Sequence, residues 1–196
     1  YLPKEKQNFF DIWSIQSDGN NIYFQARERL FRLTKNSSGK WSTRSWEPVS
    51  HFMYSFFLDG TLYVHEQGVG LLKMVRDSLI VIPGSEFLGK ERMQVMLPFK
   101  NSNASSNSKE YLLGTFTHGM YIFDGKNFKP FATEADSLNK NTILYKAIAI
   151  KGGYALCILG KGVILINDEG KITARINKNA GLSSNVVSGI FLDKKG

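Results

Sequence analysis

Short apolar runs separated by polar turns recur along the whole chain. Each run is about four to eight residues long, alternates apolar with polar side chains, and is rich in aromatic and β-branched residues. The turns contain Gly, Asp or Asn, as at Asp18-Gly19 and Asp59-Gly60. An Asp-Gly pair between apolar runs is typical of a tight β-hairpin, because the centre of such a turn needs a positive φ. The pattern therefore predicts β-strands rather than helices.

The runs are organised as a repeat. The first turn of successive copies lies at Gly19, Gly60, Glu110, Gly153 and Gly196. These positions are 41, 50, 43 and 43 residues apart. The third copy is longer because a polar insertion at residues 101–108 extends one of its turns, which costs little free energy. Each complete copy has three apolar runs and a more polar fourth run, which we interpret as an outer strand.

Four strands in about 41–50 residues are the pattern of a β-propeller blade. A twisted four-stranded antiparallel sheet has two faces to bury, and radial packing buries both against neighbouring sheets. We therefore predict an all-β fold, a single β-propeller over residues 1–196, with an open β-solenoid or a sandwich as the alternative. The predicted blades are residues 9–50, 51–91, 92–141 and 142–182, with the start of a fifth blade at residues 183–196.

Four blades and a fraction are fewer than the six to eight blades of most propellers. We therefore expect the chain to be part of a larger propeller of roughly seven blades. The alternative is that two copies of the chain associate through their open ends, because an open stack of blades exposes an apolar face at each end.

The charge pattern argues against nucleic acid as a partner. The chain carries 25 Lys and Arg against 17 Asp and Glu, a formal net charge of +8. Proteins that bind phosphates cluster their basic residues, whereas here no basic run exceeds two residues. No apolar run approaches the ~18 residues of a membrane-spanning helix. We interpret the basic residues as a solvated surface.

The sequence offers little material for a metal site or for catalysis. Its one cysteine, Cys157, lies in an apolar run and is predicted to be a core residue, and the chain has three histidines. The acidic residues fall mostly in turns, where they bond the local backbone. The Ser-x-Asp-x-Gly-x-x-Trp motif of sialidase-type propellers is absent. We predict no catalytic residue, no metal and no cofactor.

The candidate ligand-binding residues lie between the second and third strands of the repeats. These turns open at the same end of every blade, so polar residues in them would ring the mouth of a propeller channel and hydrogen-bond a sugar or a carboxylated ligand. The alternative interpretation is that exposed turns are polar for solubility alone. The candidates are Arg27, Glu28, His65, Glu66, His118 and Lys161.

The last sixteen residues carry a family resemblance. Residues 181–196 read Gly-Leu-Ser-Ser-Asn-Val-Val, then an apolar run, then Asp-x-x-Gly. This segment resembles the two-component regulator propeller repeat, and the earlier copies match it more loosely. They depart from it at the aromatic position after the first turn, where the family has Trp and this chain has Tyr23, Tyr63, Tyr111 and Tyr154.

The resemblance implies an extracytoplasmic (periplasmic) sensor region of a bacterial inner-membrane signalling protein. Proteins of this kind continue into a triple-tyrosine β-sandwich, a membrane span and a histidine kinase or helix-turn-helix output module. The resemblance also implies an oligosaccharide or small-molecule ligand, and we expect further blades and a homodimer as partners. We therefore predict a non-catalytic, ligand-sensing propeller. The alternatives are a propeller that binds other proteins, and a propeller lyase or glycoside hydrolase.

Overall fold

The computed structural model describes residues 2, 4–99, 109–139 and 142–193. Within those ranges the chain forms sixteen strands in four separate antiparallel sheets of four strands each. In every sheet the strands are hydrogen-bonded in chain order, so each sheet is a simple meander. The all-β fold with four-stranded antiparallel blades that the sequence predicts is confirmed. No helix in these ranges is both long enough and apolar enough to span a membrane.

The four sheets follow one another along the chain, and we call them blades 1 to 4. Blade 1 consists of β1 (Ile12–Ser17), β2 (Asn21–Ala26), β3 (Leu30–Lys35) and β4 (Trp41–Trp46). Blade 2 consists of β5 (His51–Leu58), β6 (Thr61–Gln67), β7 (Gly70–Val75) and β8 (Ser78–Val81). Blade 3 consists of β9 (Met93–Phe99), β10 (Glu110–Thr115), β11 (Met120–Phe123) and β12 (Phe128–Phe131). Blade 4 consists of β13 (Leu144–Ile150), β14 (Gly153–Ile158), β15 (Gly162–Asn167) and β16 (Ile172–Ile176).

The helical segments are all short. Three are 3-10 helices, at Lys4–Lys6, Glu86–Lys90 and Lys178–Ala180, and the one α-helix of the described ranges, α1, covers Asp136–Asn139. The chain divides into two compact units, Tyr1–Arg92 with blades 1 and 2 and Met93–Gly196 with blades 3 and 4. That the whole chain forms a single propeller stays a prediction.

In the first unit, blades 1 and 2 pack face to face. Alternate residues of β2, β5 and β6 point toward this interface, because side chains on a strand alternate between its two faces. Polar groups cross it as well: the side-chain amide of Gln16 donates to the carbonyl oxygen of Ser55 at 2.9 Å. The buried apolar cluster of the interface consists of Tyr23, Leu30, Phe52, Leu62 and Val64.

In the second unit, blades 3 and 4 share a larger apolar cluster. Tyr154 is 1% exposed, and its hydroxyl donates to the carbonyl oxygen of Pro98 at 3.2 Å. Its ring also stacks on that of Phe99, with 6.3 Å between ring centroids. Cys157 is buried in β14 as predicted, and burial raises the pKa of its thiol.

The predicted fifth blade is not seen as a strand. Residues 183–193 have no strand pairing, and residues 194–196, like the insertion at residues 101–108, lie outside the described ranges. The apolar side chains of Val187 and Ile190 instead pack against the cluster of Ala155, Cys157 and Val163 on blade 4. The alternation of apolar residues in this segment predicts a strand, but apolar side chains can pack on blade 4 without forming one.

Candidate functional site

The first strand of every blade contains a β-bulge close to its start. In blade 1, Ile12 pairs with Ala26 and Ser14 pairs with Gln25, so that Trp13 is an extra, unpaired residue. A bulge bends its strand and redirects a side chain, and bulges are common beside functional sites. The extra residues at the corresponding positions of the four blades are Trp13, Met53, Gln94 and Tyr145.

Each blade therefore has a bulge end, which we define as the end at which its first strand begins. In an antiparallel meander the second strand ends, and the third begins, at that same end. In blade 1 the bulge end holds the start of β1 and the β2–β3 turn, and in blade 2 it holds the start of β5. Residues far apart in the sequence therefore meet there.

An open pocket of about 450 Å³ lies at the bulge end of the first unit. This volume is within the range typical of small-molecule sites. The lining combines two aromatic rings with two carboxylates, a guanidinium and an imidazole, which is a set able to stack on a ligand and to hydrogen-bond it. The lining residues of this bulge-end pocket are Phe10, Asp11, Trp13, Arg27, Glu28 and His51.

The backbone holds the polar residues of the bulge-end pocket in place. The amide of Ala26 donates to the carbonyl oxygen of Arg29 at 2.8 Å and closes the β2–β3 turn, with Arg27 and Glu28 between them. The amide of Phe52 donates to the carbonyl oxygen of Arg27 at 2.9 Å, which ties the turn of blade 1 to β5 of blade 2. The pocket is thus built from both blades of this unit.

The carboxylate of Glu28 has an unusual environment. Its Oε2 atom is buried and has no hydrogen-bond partner among the described residues. The adjacent Arg29 pairs with Glu47 at 2.5 Å and donates to the carbonyl oxygen of Lys6 at 3.3 Å, while its Nε atom is also buried without a partner among the described residues. A buried acceptor without a donor costs free energy.

The structure places the six predicted site residues in three different situations. Arg27 and Glu28 line the bulge-end pocket. The turn placement predicted for His65 and Glu66 is wrong: both lie in β6, which continues to Gln67, and they are 0% and 3% exposed. The turn begins only after Gln67. The prediction fails here because polar side chains end this strand, and their pattern in the sequence is the same as that of a turn.

Glu66 and His65 anchor the segments that follow blades 1 and 2. The carboxylate of Glu66 accepts hydrogen bonds from the amides of Val49 at 2.5 Å and Ser50 at 3.1 Å, in the connection to β5. The Nε2 atom of His65 bonds the carbonyl oxygen of Leu88, and burial lowers the pKa of this histidine. Ser50 directly precedes the pocket residue His51. Glu66 therefore contributes to the bulge-end pocket indirectly, by holding the backbone next to His51.

The two remaining predicted residues belong to the second unit and do not line the bulge-end pocket. His118 and Lys161 are exposed in the turns between the second and third strands of blades 3 and 4, as predicted. The amide of His118 donates to the hydroxyl of Thr115 at 3.0 Å, and that of Lys161 donates to the carbonyl oxygen of Ile158 at 2.9 Å. Their ligand-binding role stays a prediction.

Four pocket residues were missing from the predicted site: Phe10, Asp11, Trp13 and His51. The sequence contains a signal for them. In an antiparallel meander, the first strand of each blade begins at the same end of the sheet as the turn between its second and third strands. The bulge that redirects Trp13 has no such signal. Among the described residues, no group of three His, Cys, Asp or Glu side chains is placed to hold a metal ion.

Comparison with known proteins reveals a likeness of fold. No protein-family model matches the chain. No curated protein sequence matches it either. The chain is similar to the crystal structure of the extracellular domain of BT4673 from B. thetaiotaomicron, a protein described as a putative one-component system. The TM-score is 0.66 at 15% identity over 94% of this chain and 25% of the other, so this chain spans a quarter of that length. At this identity the likeness shows the fold.

Proposed function

We propose that this chain is a non-catalytic, ligand-sensing part of an extracytoplasmic signalling protein and that it binds a small ligand in the bulge-end pocket. The observation that carries the proposal is the pocket itself, in which the bulged Trp13 and the carboxylate-bearing Glu28 line one volume of about 450 Å³. The extracellular origin of the structural neighbour supports the sensor role.

The position of the pocket suggests how binding would be transmitted. A ligand there contacts the β2–β3 turn of blade 1 and the start of blade 2 together, so it favours one packing of the two blades. A sensor works when its ligand binds one arrangement more tightly than another. In the signalling protein that we propose, further blades, a following β-sandwich and a second subunit would pass this preferred packing of the two blades on to a C-terminal output module.

A thermal-shift screen tests the proposal. The compounds are neutral, acidic and amino monosaccharides, short oligosaccharides, and aromatic and aliphatic amines. A ligand present at about 100 times its Kd stabilises the folded state by about 2.7 kcal/mol, which raises the Tm by several degrees. Binding should also change the fluorescence of Trp13, since this indole lines the pocket.

Matched variants assign the response to the bulge-end pocket. Trp13→Phe should abolish the fluorescence response, whereas Trp41→Phe, in the outer strand of the same blade, should keep it. Trp13→Ala should weaken binding, whereas Trp41→Ala should leave it unchanged. The proposal fails if no compound raises the Tm, or if Trp13→Ala binds like the wild type.

A further inference from the structure

The bulge-end pocket has a formal charge opposite in sign to that of the whole chain. It contains two carboxylates, Asp11 and Glu28, and one guanidinium, Arg27, so its formal charge is −1 with His51 neutral. The whole chain carries +8. Arg27 and Asp11 are both exposed, so solvent screens their charges, whereas Glu28 is partly buried. The pocket therefore disfavours an anion and favours a group that carries positive charge.

Glu28 determines which kind of positive group fits. A carboxylate only accepts hydrogen bonds, and its buried Oε2 atom has no donor among the described residues. Arg29, the next cation along the chain, pairs with Glu47. Because Glu28 also lines the pocket, a ligand N–H or O–H can bond its carboxylate, and a charged donor forms the stronger bond.

The aromatic side chains favour the same group. Trp13 and Phe10 line the pocket beside the carboxylates. A cation is attracted to the face of an aromatic ring, most strongly to that of Trp. Carboxylates and ring faces together provide what an ammonium group needs when it leaves water, whereas a neutral hydroxyl gains only the hydrogen bonds.

We infer that the ligand of the bulge-end pocket carries a protonated amine, which binds between the carboxylate of Glu28 and the aromatic rings of Trp13 and Phe10. This inference rests on the proposed function and names the chemical class of its ligand. Asp11 adds a second negative charge at the pocket wall. Glu28 is then the residue that selects amines over neutral and acidic compounds of the same shape.

The test compares compounds that differ only in the group offered to Glu28. One set is D-glucosamine, D-glucose and N-acetyl-D-glucosamine, and the other is tyramine, tyrosol and N-acetyltyramine. Each set presents an ammonium, a hydroxyl and an acetamide group on one scaffold. In at least one set, the amine should bind at least about tenfold more tightly than its two neutral partners, by calorimetry at low salt. The affinity should fall as salt is added.

Variants test the role of Glu28. Glu28→Gln keeps the shape of the side chain and removes its charge, so it should weaken amine binding about tenfold and abolish the preference for the amine. Glu169→Gln, in the exposed turn after β15, is the control and should bind like the wild type.

The outcomes separate this inference from the proposed function. A neutral or acidic compound that binds more tightly than the amines, and depends on Trp13, would overturn the inference and leave the sensor proposal standing. Equal binding of the amines by wild type and Glu28→Gln would also overturn it. If no amine of either set binds, the inference is wrong.

Discussion

His65 and Leu88 form a buried hydrogen bond, with 2.8 Å between the imidazole Nε2 atom and the carbonyl oxygen. His65 lies in β6, and Leu88 lies in the 3-10 helix Glu86–Lys90 that follows blade 2. A carbonyl oxygen only accepts hydrogen bonds, so Nε2 carries a proton. Nδ1 is buried and has no hydrogen-bond partner among the described residues. The site therefore favours a neutral imidazole.

The first prediction is that the free energy of unfolding decreases as the pH is lowered below about 6.5, the ordinary pKa of histidine. Burial lowers the pKa of His65 in the folded state. Between the lowered pKa and the ordinary one, the unfolded chain binds a proton that the folded chain does not, so stability is lost as the pH falls. The loss is at most about 1.4 kcal/mol per pH unit from this group. Urea unfolding at a series of pH values measures it.

His65→Gln supplies the control, because it removes the titrating group and leaves His51 and His118 in place. The variant should be less stable than the wild type at neutral pH by about 1–3 kcal/mol, since Nδ1 and Nε2 are replaced by an amide of different shape. Its stability should depend less on pH between neutrality and pH 5. Equal pH dependence in the two proteins would contradict the prediction.

The same residue illustrates what the sequence could and could not predict. Alternating apolar residues and Gly-containing turns predicted four-stranded blades because strand periodicity is a local property. The partners of His65 and Glu66 are distant in the sequence, at Leu88 and at Val49 and Ser50. A buried polar residue satisfied by a distant loop has the same local pattern as a polar turn. Periodicity alone therefore cannot separate the two.

The second prediction concerns Asp77, which joins blade 2 to blade 1. Its carboxylate accepts a hydrogen bond from Arg32 at 2.7 Å and one from Arg44 at 2.6 Å, and both guanidinium groups lie over the ring of Trp46. Asp77→Asn should lower the free energy of unfolding by about 1 kcal/mol. The cost is modest because these side chains are partly exposed and solvent screens them. Urea unfolding at low salt measures it.

Salt dependence separates the charge effect from a change in packing. In about 0.5 M NaCl the difference between Asp77→Asn and the wild type should shrink, because ions screen exposed pairs. Glu169→Gln removes a similar charge from an exposed turn and should change stability by less than about 0.5 kcal/mol. An unchanged stability of Asp77→Asn at low salt would show that the two blades do not depend on this ion pair.

The candidate pocket was only partly predictable for a related reason. Arg27 and Glu28 were found because a turn between two strands can be read from the sequence. Trp13 lies at a strand position where the alternation of residues predicts an aromatic side chain between blades. Its place in the pocket depends on the bulge opposite Ala26 and Gln25, and a bulge changes the pairing without changing the pattern of residue types.

The third prediction compares two glycines of the β6–β7 hairpin, Gly68 and Gly70. Both have positive φ, +80° and +127°, so alanine is strained at either position. At Gly68 a Cβ atom would meet nothing within 4 Å. At Gly70 it would lie 2.5 Å from the carbonyl oxygen of Ser85. The hydroxyl of Ser85 also accepts a hydrogen bond from the amide of Leu71 and donates one to the carbonyl oxygen of Leu71. Of these two glycines, only Gly70 therefore combines backbone strain with a close contact.

Gly68→Ala should cost about 1–2 kcal/mol of unfolding free energy, the strain of a left-handed residue. Gly70→Ala should cost about 1–3 kcal/mol more, because the segment at Ser85 must move away and the buried hydrogen bonds to Leu71 are disturbed. Urea unfolding of the two variants measures the difference, and Gly68→Ala is the control for the strain they share. Equal losses of unfolding free energy in the two variants would mean that the segment at Ser85 moves away from the added Cβ atom without further loss of stability. In that case the packing of the chain after blade 2 against the β6–β7 hairpin would contribute little to stability.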